Sequence, residues 1–118
     1  LMPPNLEPTY RSTMAKILFE GGLTAETETV LNEILRIQPR DAAERNLIAD
    51  AWLDMALLKD SLGQTQATYA AIISAFQTSE SVVMKRMASS ERLKALIAKL
   101  QELNSRRRQA APASSLLP

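Results

Sequence analysis

No histidine and no cysteine occur among the 118 residues. Histidine is the usual proton carrier near neutral pH, and cysteine supplies thiolate nucleophiles and soft metal ligands. Without either, a zinc or copper site would have oxygen donors alone, which those metals disfavour. A disulfide scaffold is excluded as well. Glycine is scarce, three in all, so there is no glycine-rich phosphate loop, and Gly21-Gly22 reads as a helix stop. Aromatic residues are few, and none lies beyond Phe76, which argues against base stacking by the C-terminal third. No apolar run approaches the ~20 residues needed to cross a bilayer. The opening residues Leu1-Met2-Pro3-Pro4-Asn5 do not form a basic region followed by an apolar stretch, so no secretory signal is read and a cytoplasmic location is the default.

Serine, threonine and carboxylates are plentiful, but no constellation joins them to a base. Glu26 and Glu28 suit a helix N-terminus. Asp50 and Asp54, one helical turn apart, are the kind of pair that holds a hard cation, but exposed acids at this spacing are ordinarily solvated surface. The expectation is a protein that is not an enzyme and needs no cofactor or metal.

Charge is unevenly distributed. Net charge is +1, yet residues 1–60 carry ten acids against six bases and residues 61–118 carry three acids against eight bases. The halves are therefore −4 and +5. Such asymmetry suits head-to-tail self-association or a basic end that meets an anionic partner.

The length suits one domain, organised as an extended arm over 1–8, a helical domain over 9–104 and a basic, flexible tail over 105–118. Pro3, Pro4 and Pro8 keep the arm out of a helix interior. The apolar spacing predicts helices near 9–20, 25–38, 42–62, 66–77 and 80–104, the last interrupted around Ser89-Ser90. Tyr10, Met14, Ile17 and Leu18 mark the apolar face of the first. Phe19 falls on the opposite side, as a second packing contact or as part of a partner site. Thr24 is placed to cap the second helix, and Asp41 with Glu44 has the spacing of a capping box for the third. The third helix carries one long stripe from Leu47 to Leu62. Trp52, Ile48, Met55, Leu31, Ile34 and Ile73 should be buried together. Leu93, Leu96, Leu100 and Leu103 follow the spacing of a coiled-coil seam for under two heptads. No strand-type alternation is long enough to matter, so the fold is read as all-α: a compact antiparallel helical bundle or a short helical-hairpin array of about five or six helices.

Two segments resemble tetratricopeptide-type helical hairpins. The first has Met14-Ala15, Gly22 at its turn, Leu31 and a closing Pro39. The second has Trp52, Met55-Ala56, Gly63 at its turn and Ala75. The turn glycines are 41 positions apart in this chain, against 34 in the family. The resemblance implies a scaffold that binds a peptide or protein segment in a concave groove, and it brings no catalytic residues with it.

The functional expectation is a non-catalytic protein-interaction module, an adaptor, chaperone-like or assembly subunit that binds a protein partner or itself. Its candidate partner-binding residues are Phe19, Arg92, Lys94, Lys99, Arg106, Arg107 and Arg108. The alternative is a small helical nucleic-acid-associated protein, such as a DNA-packaging or regulatory subunit, using the basic C-terminal half through salt-sensitive backbone contacts.

Overall fold

The computed structural model describes the backbone of residues 7–115 and the side chains of 9–107. Six helices and no strand occur among the described residues: α1 Glu7–Glu20, α2 Thr24–Leu35, α3 Ala42–Ser61, α4 Thr65–Thr78, α5 Glu80–Ser89 and α6 Glu91–Ser115. The fold is an all-α helical bundle. Most of the expected arm lies outside the described residues, but Glu7 and Pro8 belong to α1. Proline is tolerated there because the first-turn N–H groups have no intrahelical partner. At the other end α6 continues past residue 104 to Ser115, where Arg106 pairs with Glu102 one turn earlier.

The chain folds as three successive hairpins, with α3 at the centre. It packs against α1 and α5 on two sides and also against α2 and α4. Its surroundings explain why a single stripe is too narrow a description of it. Ile48, Ala51, Met55 and Leu58 are buried on one side and Ala49, Leu53 and Ala56 on another, as expected for a helix enclosed by neighbours. Leu31, Ile34, Leu53, Leu58, Ile72, Val83, Leu93 and Ile97 are fully buried, so every helix except α1 contributes a large side chain to the centre. Each such burial contributes roughly 1.5–3 kcal/mol before entropy is counted.

Several local expectations are corrected. α1 faces the core with Ser12, Ala15 and Phe19, so its inward face is rotated from the expected one, and Tyr10 and Ile17 point outward. Ile73 is exposed rather than buried with Trp52, because α4 turns Ala71, Ile72 and Ala75 inward instead. Trp52 itself is half-buried against the core. Thr24 does not cap α2. Leu23 occupies the cap position without a side-chain bond, and Thr24 is the first helical residue. Asp41 does cap α3, accepting the Glu44 N–H at 2.8 Å, while Glu44 accepts the Arg40 N–H at 2.9 Å. The expected break at Ser89-Ser90 is present: Ser90 is extended, and its hydroxyl accepts the Leu93 N–H at 3.3 Å to start α6.

The turns of the first two hairpins are built alike. Gly22 and Gly63 both adopt positive φ, 78° and 73°, the region where a Cβ is strained. In each, the glycine N–H and the next N–H bond back to the helix just ended, Gly22 to Phe19 and Leu23 to Leu18, then Gly63 to Asp60 and Gln64 to Lys59. This is a Schellman closure. Thr27 and Thr68, each fully buried, donate their hydroxyls to the carbonyls of Leu23 and Gln64 at 2.7 and 2.8 Å.

Candidate functional site

Because α1, α3 and α5 lie side by side, charged residues from all three meet across the row. Lys16 of α1 donates to Asp50 Oδ2 and Asp54 Oδ2 of α3, both at 2.7 Å. Arg86 of α5 donates from Nη1 to Asp54 Oδ1 at 3.0 Å and also to Asp50 Oδ1. Two cations thus take up all four carboxylate oxygens of two acids. The Asp54 side chain is only 11% exposed, against 44% for Lys16, so the square is closed on its core side and reached by solvent from α1. Burial pushes the Asp50 carboxyl up, but the Lys16 hydrogen bond and the charge of Arg86 outweigh it and hold the group below its ordinary range. Burial likewise lowers Lys16 and Arg86, and the Asp54 charge reverses the effect in both. The result is a neutral assembly of two acids and two cations in which the ionised forms of Asp50, Lys16 and Arg86 are favoured.

The square separates two grooves. One, of about 310 Å³, lies between α1, α3 and α5 with Phe19, Ala15 and Leu57 as apolar walls and Lys16, Glu20, Asp54 and Arg86 as polar edge. The other, of about 400 Å³, lies between α3 and α5, with Leu47 and Val82 below and Asn46, Asp50, Lys85 and Arg86 around it. Arg86 borders both. A third hollow of about 340 Å³ is formed by Ile73 of α4 with Leu100, Leu103 and Arg107 of α6.

The candidate partner residues fall in different places. Phe19 packs partly on the core, as the first alternative for it expects, and also lines the first groove. Arg92 holds Asp60 of α3 with two hydrogen bonds, 2.7 and 2.6 Å, which lowers the Asp60 carboxyl. Lys99 and Arg106 share Glu102 at 3.9 and 2.6 Å. Arg92, Lys99 and Arg106 recur every seven residues on one face, yet each has a carboxylate beside it. Lys94 is exposed, Arg107 borders the third hollow, and the Arg108 side chain lies outside the described residues. The groove thus gathers Phe19 but none of the α6 cations.

Lys16, Asp54 and Arg86 were not singled out together from sequence. The i,i+4 spacing of Asp50 and Asp54 was the visible signal, and its surface reading is corrected: both acids face partners from helices more than 30 positions away. No group of three or more acids placed to hold a metal ion is present among the described residues. Nor, among them, is any helix long and apolar enough to cross a membrane. Comparisons with protein-family profiles, curated proteins and solved structures give no match.

Proposed function

We propose that the protein is a non-catalytic protein-interaction module that holds a segment of a partner in the groove between α1, α3 and α5. The observation that carries this reading is the composition of that groove: an aromatic wall from Phe19 beside Leu57, bordered by fixed charges of both signs. A site of this kind takes an apolar side chain and orients the flanking peptide through polar contacts. The like-built turns at Gly22 and Gly63, with Ala15 and Ala56 buried at corresponding places in α1 and α3, support reading the chain as a short array of helical hairpins related to the tetratricopeptide type. The nucleic-acid alternative draws on fewer free cations than the sequence suggests, since Arg86 and Arg92 are bound to α3 carboxylates.

Selection of peptides from a random display library on the intact protein tests the proposal. Selected peptides should bind the Phe19→Ala variant at least about tenfold more weakly, the loss of one buried aromatic anchor. Equal binding to both proteins would remove the groove from consideration.

A further inference from the structure

The row α1–α3–α5 has two ends, and each presents apolar side chains to solvent. On α1, Ala15 and Phe19 face the groove shared with α3, and Ile17, midway between them in sequence, projects to the opposite side. Ile17 is 64% exposed, and Tyr10, two turns earlier on the same side, is 51% exposed. On α5, Val82 and Arg86 face α3, and Met84, midway between them, projects away from the row and is 54% exposed. Large apolar groups at both ends of a single row are what a continuing stack of helices would cover.

The charges at the two ends are opposite. The α1–α2 hairpin, residues 7–35, carries five acids and two bases, whereas residues 80–115 of α5–α6 carry three acids and eight bases. No charged residue lies between 61 and 79, so the whole basic excess of the second half belongs to the last hairpin. Glu20 and Glu26 at one end, and Lys85 and Lys94 at the other, are exposed. None of these four side chains has a hydrogen-bond or ion-pair partner among the described residues. We infer that a second copy of this chain is the occupant of both faces: the α5 face of one copy, centred on Met84, stacks on the α1 face of the next, centred on Tyr10 and Ile17. The contact is heterologous, because it joins two different faces and leaves one of each free on every pair. Its apolar residues Tyr10, Ile17 and Met84 line neither groove, whereas Glu20 and Lys85 border one groove each, so the variants that test it are placed at Ile17 and Met84.

Two single variants decide it. Ile17→Glu spoils one face and Met84→Glu the other, both at exposed helix positions where glutamate is a good helix former. Light scattering on the unaltered protein should give a mass above 13.0 kDa that rises with protein concentration in about 20 mM salt. In about 500 mM salt, where charges are screened within a few ångströms, the mass should fall back. Each variant alone should stay at 13.0 kDa with unchanged helix content by circular dichroism. An equimolar mixture should double the mass and go no further, because each variant keeps the face the other lacks and the two spoiled faces repel. Ile17→Gln and Met84→Gln, without added charge, should repeat the pattern more weakly. The inference is overturned if the unaltered protein stays at 13.0 kDa up to ~1 mM in low salt, if the mixture remains monomeric, or if only one of the variants prevents association. That last result would mean a symmetric contact between like faces.

Discussion

Asp54 is the residue on which the square between α1, α3 and α5 turns, because it is the less exposed of the two acids and touches both cations. Removing its charge leaves Lys16 and Arg86 with one carboxylate between them in a site partly shut off from water. Breaking such a set is costly because the remaining charges stay desolvated. Asp54→Asn is expected to destabilise the fold by about 2 kcal/mol, the worth of a charged hydrogen bond. Urea unfolding monitored by Trp52 fluorescence checks this, and a midpoint equal to that of the unaltered protein would show that the square contributes nothing net.

The helix elements owe their ends to very few residues. Gly22 and Gly63 sit at positive φ with open space where a Cβ would be, so the cost of a side chain there is backbone strain alone. Gly22→Ala and Gly63→Ala should each cost about 1–2 kcal/mol, the penalty for an L-residue in the left-handed region. Gly21→Ala, where φ is ordinary and a Cβ would make only normal contacts, should cost little or gain slightly. Thermal unfolding of the three variants separates the positions, and equal midpoints would contradict the closure described for these turns. Gly22 and Gly63 were readable from sequence as stops. The face of α1 was not, because Tyr10, Met14 and Ile17 have the right spacing for a core stripe, while the structure turns Ser12, Ala15 and Phe19 toward the core. Apolar periodicity identifies a helix without saying which neighbour approaches it, or how closely.

At the scale of the whole molecule, the unequal charge of the two halves is partly used within the chain. Asp50, Asp54 and Asp60 of the acidic half bind Arg86 and Arg92 of the basic half, tying α3 to α5 and α6. These pairs set the pH limits of stability. Asp50 titrates lower in the folded state than its ordinary value of 3.8, so its contribution is present above that value and is lost as pH falls through the lower, folded one. Lys16 titrates above its ordinary 10.5, so its contribution is present below that value and is lost as pH rises through the higher, folded one. Stability from this square should be level across neutral pH and fall only at the two extremes. Unfolding midpoints from pH 2 to pH 12 check this, and Asp50→Asn should flatten the acid limb. A steep change between pH 5 and 8 would be unexpected in a chain with no histidine.

The sequence by itself determined the number and approximate limits of the helices, since apolar spacing, the turn glycines, Asp41 and the Ser89-Ser90 break are all local signals. It also determined that the basic excess lies in the last hairpin. Only the tertiary structure decided which charges remain free. Arg86 and Arg92 stand beside Lys85 and Lys94 in the same two helices, but the first two pair with α3 carboxylates and the side chains of the others are exposed. An ion pair between residues more than 30 positions apart depends on how helices cross, which is set by the packing of side chains such as Leu53, Val83 and Ile97 rather than by anything near the charges themselves.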